Sequence, residues 1–131
     1  MPKLSPYIFS DNAREQAALY ADALGGEVVD IRTFADMPGA NEAEKDRVMH
    51  LVLKVGDATI YMADNGEKAV HRGHGLDLTL EFKTEEEARS AFEKLAQGGR
   101  VVMPLEQMFW GAVFGRLEDS YGVRWQISTE A

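Results

Sequence analysis

The sequence predicts an α+β fold of two βαβββ modules in a pseudo-two-fold arrangement, forming a curved mixed sheet around a pocket. Three observations carry the prediction. A strand signal followed by a capped amphipathic helix occurs twice, at residues 4–24 and 76–96. Each helix ends in the same punctuation, Ala23-Leu24-Gly25-Gly26-Glu27-Val28-Val29 in the first half and Ala96-Gln97-Gly98-Gly99-Arg100-Val101-Val102 in the second. Beyond each double glycine the apolar residues alternate through a strand, a loop and a hairpin. A supersecondary unit repeated at this length indicates an internally duplicated pair. With one helix per module, only one sheet face is covered, so the other is expected to be buried by the partner module or to curl into a cavity.

In chain order, Leu4 to Phe9 read as a short strand. Ser10-Asp11-Asn12 cap a helix from about Ala13 to Leu24, with Glu15 able to reach back toward the cap and Ala13, Ala17, Tyr20 and Leu24 as its inward stripe. A strand from Glu27 to Thr33 follows. Phe34 to Asp46 has neither period and reads as a mobile loop. Arg47 to Val55 and Ala58 to Ala63 form a hairpin turning at Gly56-Asp57, with Met49, Leu51, Leu53 and Val55 on one face and His50, Val52 and Lys54 on the other. Turn formers from Asp64 to Gly75, including Asn65-Gly66, mark a linker. Leu76, Leu78, Leu80 and Phe82 then alternate with Asp77, Thr79 and Glu81. Thr84 with Glu87 caps a helix whose stripe is Ala88, Ala91, Phe92, Leu95 and Ala96. The last third holds a bulky wedge, Met108-Phe109-Trp110 before Gly111, and a hairpin pairing Val113, Gly115 and Leu117 with Val123, Trp125 and Ile127 across a turn at Asp119 to Gly122. One domain, 1–131, is predicted, with module one at about 3–63, a linker at 64–75 and module two at about 76–131.

Composition narrows the function. The formal charge is −8, from 14 basic and 22 acidic residues, and the basic residues are scattered, which argues against nucleic acid. Zero cysteines remove disulfides, thiolate zinc sites and a cysteine nucleophile. MPKLSPYIF has no signal-peptide pattern, and no apolar run approaches the ~20 residues of a membrane span. A cytoplasmic protein without membrane contact is expected.

The strand opening PYIF, the helix end YADALGGEV, the hairpin VMHLVLKVGDATIYMAD and above all MPLEQMFWG with the following D-x-x-G-x-x-W resemble the PhnB-like branch of the vicinal oxygen chelate superfamily, which contains glyoxalase I, fosfomycin-modifying enzymes, extradiol dioxygenases and bleomycin-binding proteins. The resemblance spans nearly the whole chain. It implies a homodimer and a small-molecule ligand. In metal-using relatives four inward side chains hold a divalent ion, and the resemblance places those positions at Ser5, Tyr61, Asp77 (Leu78 if the register slips by one) and Gln126. Ser5 and Tyr61 are poor ligands, whereas Asp77 and Gln126 offer oxygens.

Each candidate carries two readings. His50, on the pocket side of its strand, either assists a metal or is a partly buried histidine bonded to a neighbour. His71 and His74 have chelating spacing but sit in a turn-rich linker. Asp77 and Glu81 share a strand face and act as general base and acid if burial raises one pKa, or are solvated or dimer-facing carboxylates. Phe109 and Trp110, with Met108, either stack on a planar ligand or plug the cavity mouth. Tyr7, Phe9, Val52 and Tyr61 fall on the side of Ser5. The expected ligand-binding set is therefore Tyr7, His50, Tyr61, Asp77, Glu81, Met108, Phe109, Trp110 and Gln126. The favoured function is binding of a small, partly aromatic or apolar molecule without a tightly held metal or other cofactor. The alternatives are a divalent-metal-dependent lyase, isomerase or transferase acting on a small oxygenated substrate, and a scaffold dimer without a ligand.

Overall fold

A computed structural model describes residues 2–65 and 69–130. The chain forms two compact units, Met1–Val70 and His71–Ala131. The first contains β1 (Tyr7–Ser10), α1 (Ala13–Leu24), β2 (Glu27–Thr33), a 3-10 turn (Phe34–Asp36), β3 (Val48–Val55) and β4 (Ala58–Asp64). The second contains β5 (Leu78–Phe82), α2 (Glu85–Ala96), β6 (Arg100–Gln107), β7 (Val113–Glu118) and β8 (Arg124–Thr129). Their four-stranded sheets run β1-β4-β3-β2 and β5-β8-β7-β6, each mixed, with the first strand parallel to the last. The topology is thus the same in both, a two-module α+β fold.

Both helices start where their caps require. Asn12 accepts the Glu15 amide at 3.2 Å and Thr84 accepts the Glu87 amide at 3.1 Å, satisfying amides that have no partner inside the helix. α1 buries Ala13, Gln16, Ala17, Tyr20, Ala23 and Leu24, and α2 buries Ala88, Ala91, Phe92 and Leu95. Opposite them lie the buried strand residues Ile8, Leu51, Leu53, Ile60 and Met62 in the first module, and Leu117, Trp125 and Ile127 in the second. At about 1.5–3 kcal/mol per fully buried large apolar side chain, these two one-sided cores dominate the stabilisation.

The double glycines divide two tasks. Gly25 (φ 66) and Gly98 (φ 74) take the left-handed conformation that ends the helix. Gly26 and Gly99 let the next strand approach its neighbour, because a Cβ would lie 2.6 Å from the Lys54 carbonyl oxygen at the first and 2.2 Å from that of Glu118 at the second.

Several boundaries differ from the sequence reading. β1 begins at Tyr7, and Leu4 is 97% exposed, since Pro6 has no N–H for a ladder. β5 begins at Leu78, so the exposed Leu76 and the neighbouring Asp77 precede it. A register shift between Arg32 and Thr33 turns Val48 inward in place of Met49, and the Val48 amide donates to Asp64 Oδ2 at 2.7 Å. The segment read as a mobile loop is hydrogen-bonded across its base, Phe34 N–H to the Arg47 carbonyl and Ala35 N–H to that of Lys45. Of the expected linker, Asp64 belongs to β4, and residues 66–68 lie outside the described residues.

Candidate functional site

Each sheet turns one face to its helix and leaves the other open. On the first module's open face, register places Tyr7 beside Tyr61 and Tyr61 beside Val52. The Tyr7 hydroxyl and His50 Nδ1 share a hydrogen bond at 3.1 Å. Ring centroids lie 5.3 Å apart for His50 and Tyr61, 5.7 Å for Tyr7 and His50, and 5.0 Å for Tyr7 and Phe9. The cluster is one aromatic platform, with Tyr7 44% and Phe9 50% exposed. Thr59, two residues before Tyr61, accepts bonds from Lys3 at 3.2 Å and Lys54 at 2.9 Å at its edge.

The second module's open face is polar at one end and aromatic at the other. β8 pairs with β5 through Gln126 and Thr79, and with β7 through Gln126 and Arg116 and through Ser128 and Phe114. Asp77 Oδ2 accepts from Arg116 Nε at 2.8 Å and from Gln126 Nε2 at 3.1 Å, and Gln126 Oε1 accepts from the Thr79 hydroxyl at 3.3 Å. The Asp77 side chain is only 10% exposed. Burial alone pushes its pKa up, but hydrogen bonds from Arg116 and Gln126 and the charges of Arg116 and Arg124 outweigh it and hold the carboxyl below its ordinary 3.8. The net direction is therefore downward, so the condition attached to the general-base reading, a pKa raised by burial, is not met at Asp77, whose carboxylate is an ion-pair partner. Glu81 is exposed, two residues beyond Thr79.

Met108, Phe109 and Trp110 form the tip between β6 and β7, closed by the Met108 N–H to Ala112 carbonyl bond and by Gly111 at φ 98. Phe109 is 97% and Trp110 48% exposed, and the two rings meet edge-on at 5.0 Å. Trp110 also contacts Phe114 at 6.1 Å, so the wedge leans onto the open face. Arg116, Phe114 and Thr79 were not among the sequence candidates. Counting outward from the Asp119–Gly122 turn sets Arg116 opposite Gln126, a signal the sequence did contain.

The D-x-x-G-x-x-W spacing has a structural cause. Asp119, 3% exposed, accepts the Tyr121 and Val123 amides on Oδ1 at 2.8 and 3.1 Å and the Trp125 indole N–H on Oδ2 at 2.8 Å, while Gly122 takes φ 85. Trp125, expected beneath a helix, is 1% exposed on the helix side of the sheet.

The residues at the four metal positions do not fit a tightly held ion. Ser5 and Tyr61 bring hydroxyls, Asp77 is already neutralised by a fixed guanidinium, and the Gln126 oxygen is engaged by Thr79. Among the described residues no group of three His, Asp or Glu gathers within metal reach. His74 lies 3.8 Å from Glu118, and His71 is exposed. A separate shallow cleft of about 320 Å³ lies at the α1 N-terminus, lined by Asp11, Asn12, Arg14, Asp46, Arg47 and Asp64. Asp64 spends both oxygens there on backbone amides, those of Ala13 and Val48, each at 2.7 Å.

The chain is similar in sequence and fold to known proteins. The chain is 34% identical to PA1353 of Pseudomonas aeruginosa, with a TM-score of 0.85 over 99% of this chain and 98% of that one. It is 28% identical to a PhnB protein of Bacillus cereus, with a TM-score of 0.77 over 98% and 100%. Protein YjdN of Escherichia coli strain K12 is 27% identical over 95% of this chain and 93% of its own. Residues 4–127 match the Glyoxalase/Bleomycin resistance protein/Dioxygenase superfamily, and the chain belongs to that family.

Proposed function

We propose that the protein binds a small, partly aromatic molecule on the open faces of its sheets without a tightly held metal. The observation that supports this most directly is the platform of Tyr7, Phe9, His50 and Tyr61. A stable fold has no need to hold four rings in one connected cluster on a partly exposed surface, whereas stacking on a planar ligand does. In the second module the wedge of Met108, Phe109 and Trp110, with Asp77, Gln126 and the nearby Glu81, forms a ligand-facing set of its own. We read the protein as a homodimer, because each sheet ends in edge strands that a second copy can cover.

Metal titration tests the reading against a metal-dependent lyase, isomerase or transferase. A metal held only by the folded state raises the melting temperature by mass action. Zinc, nickel or manganese should scarcely move it. A saturable rise that vanishes in Asp77→Ala and Gln126→Ala would restore the metal-dependent enzyme to first place.

A further inference from the structure

We infer that Arg116 is the acid-recognising group of the second module's open face and that the ligand it takes is a monoanionic carboxylic acid with an aromatic body. The inference deepens the ligand-binding reading above and rests on it. Arg116 makes one side-chain hydrogen bond among the described residues, from Nε to Asp77. That bond fixes the plane of the guanidinium and leaves the N–H groups of both terminal nitrogens without a protein partner among the described residues. The side chain is 29% exposed, so this end is neither fully hydrated nor buried. Two coplanar N–H donors on adjacent nitrogens match the two oxygens of a carboxylate.

The surroundings specify the rest of the ligand. Phe114 lies two positions from Arg116 on β7, on the same face and about 7 Å away along the strand. Trp110 leans on Phe114 with half of its surface exposed. A ring attached to the carboxylate would therefore meet an aromatic wall. Arg124, on the same face, is paired with Glu118 at 3.3 Å, and Asp77 stands directly beside Arg116. One negative charge already at the guanidinium disfavours a dianion such as a phosphonate more than a monoanion. The duplication supplies an internal comparison. The residue opposite Tyr61 in the first module is Val52, whereas the residue opposite Gln126 in the second is Arg116. Only the second module brings a cation to that register.

The test uses phenylacetate, its neutral isostere phenylacetamide, and phenylphosphonate, each titrated into the full-length protein and followed by amide and indole N–H chemical shifts. Phenylacetate should bind about tenfold or more tightly than phenylacetamide, the ratio one to two charge-assisted hydrogen bonds produce. Phenylphosphonate should bind more weakly than phenylacetate, and the shifts should centre on Phe114, Arg116 and Trp110. Arg116→Gln should bring acid and amide to within about twofold of each other. Arg116→Lys keeps the charge and the Asp77 contact, so it guards against a glutamine variant that fails to fold; it should lose most of the preference with the fork. If acid and amide bind wild type equally, or the preference survives Arg116→Lys, the inference is overturned while aromatic binding stands. If neither probe binds up to its solubility limit, both readings fall.

Discussion

Asp119 joins the hairpin turn to the core, and its removal should be the most damaging single change of a charged residue in the second module. Asp119→Ala deletes the acceptors of two turn amides and of the Trp125 indole N–H, at 2.8, 3.1 and 2.8 Å. The Tyr121 amide regains water, because Tyr121 is only half-buried, whereas the Val123 amide belongs to a buried residue and loses its acceptor. The indole nitrogen belongs to a side chain 1% exposed and loses its acceptor where water is scarce. Hydrogen bonds to a charged acceptor contribute about 1.5–3 kcal/mol each, and loss of the carboxylate's own desolvation offsets part of the sum, so about 3 kcal/mol is expected. Equilibrium unfolding in urea should show the midpoint lower by about 1–3 M. Asp119→Asn keeps one oxygen for the turn but sets an amide N–H against the indole N–H, so it should fall between wild type and alanine. In a double-mutant cycle with Trp125→Phe, the pair should couple by about 1–3 kcal/mol. A midpoint within about 0.3 M of wild type, or no coupling, would show that the carboxylate does not hold the turn.

Further outcomes follow from the same geometry. Because the folded-state pKa of Asp77 is depressed, its stabilisation is complete above the ordinary value of 3.8 and lost as pH falls through the lower folded value; the stability gap between wild type and Asp77→Asn should shrink below about pH 4, and a gap that widens there would reverse the assignment. Gly26→Ala should cost about 2–4 kcal/mol, because its Cβ meets the Lys54 carbonyl, whereas Gly25→Ala, with open space around its Cβ, should cost only the left-handed backbone penalty of about 1–2 kcal/mol; the reverse order in thermal unfolding would refute the division of tasks. Trp110→Ala should lower stability by less than about 1.5 kcal/mol yet weaken aromatic probes by about 1–3 kcal/mol, and Trp125→Ala should cost more than about 3 kcal/mol; an unfolded Trp110→Ala with unchanged binding would make Trp110 a core residue.

What the sequence revealed depended on whether a residue's role is local. The Asn12 and Thr84 caps, the α1 stripe, the α2 stripe as far as Leu95 and the β7–β8 hairpin are written in spacings of a few residues and stand in the structure, while Ala96 at the end of the α2 stripe is only half-buried. The inward turn of Val48 comes from a register shift against β2, which alternation within β3 cannot show. Spacing likewise leaves Asp77 open between an oxygen ligand, a general base or acid and a solvated or dimer-facing carboxylate, because its partner Arg116 lies 39 residues away and meets it only when β5, β8 and β7 align. The resemblance supplied the positions of interest, Asp77 and Gln126, but not the cation that joins them. Phe114 is hidden for a different reason: its role appears only where Trp110, four residues earlier, returns to touch it.

The chain has only two tryptophans, and the fold gives them opposite surroundings. Trp125 is sealed at 1% exposure with its indole N–H on a carboxylate, while Trp110 stands 48% exposed on the hairpin tip. Acrylamide in solution should therefore extinguish the emission of Trp110 and spare that of Trp125. The quenchable fraction then reports occupancy of the open face, and the protected fraction reports integrity of the core. One emission spectrum thus separates a ligand that merely covers the tip from a change that loosens the fold beneath it.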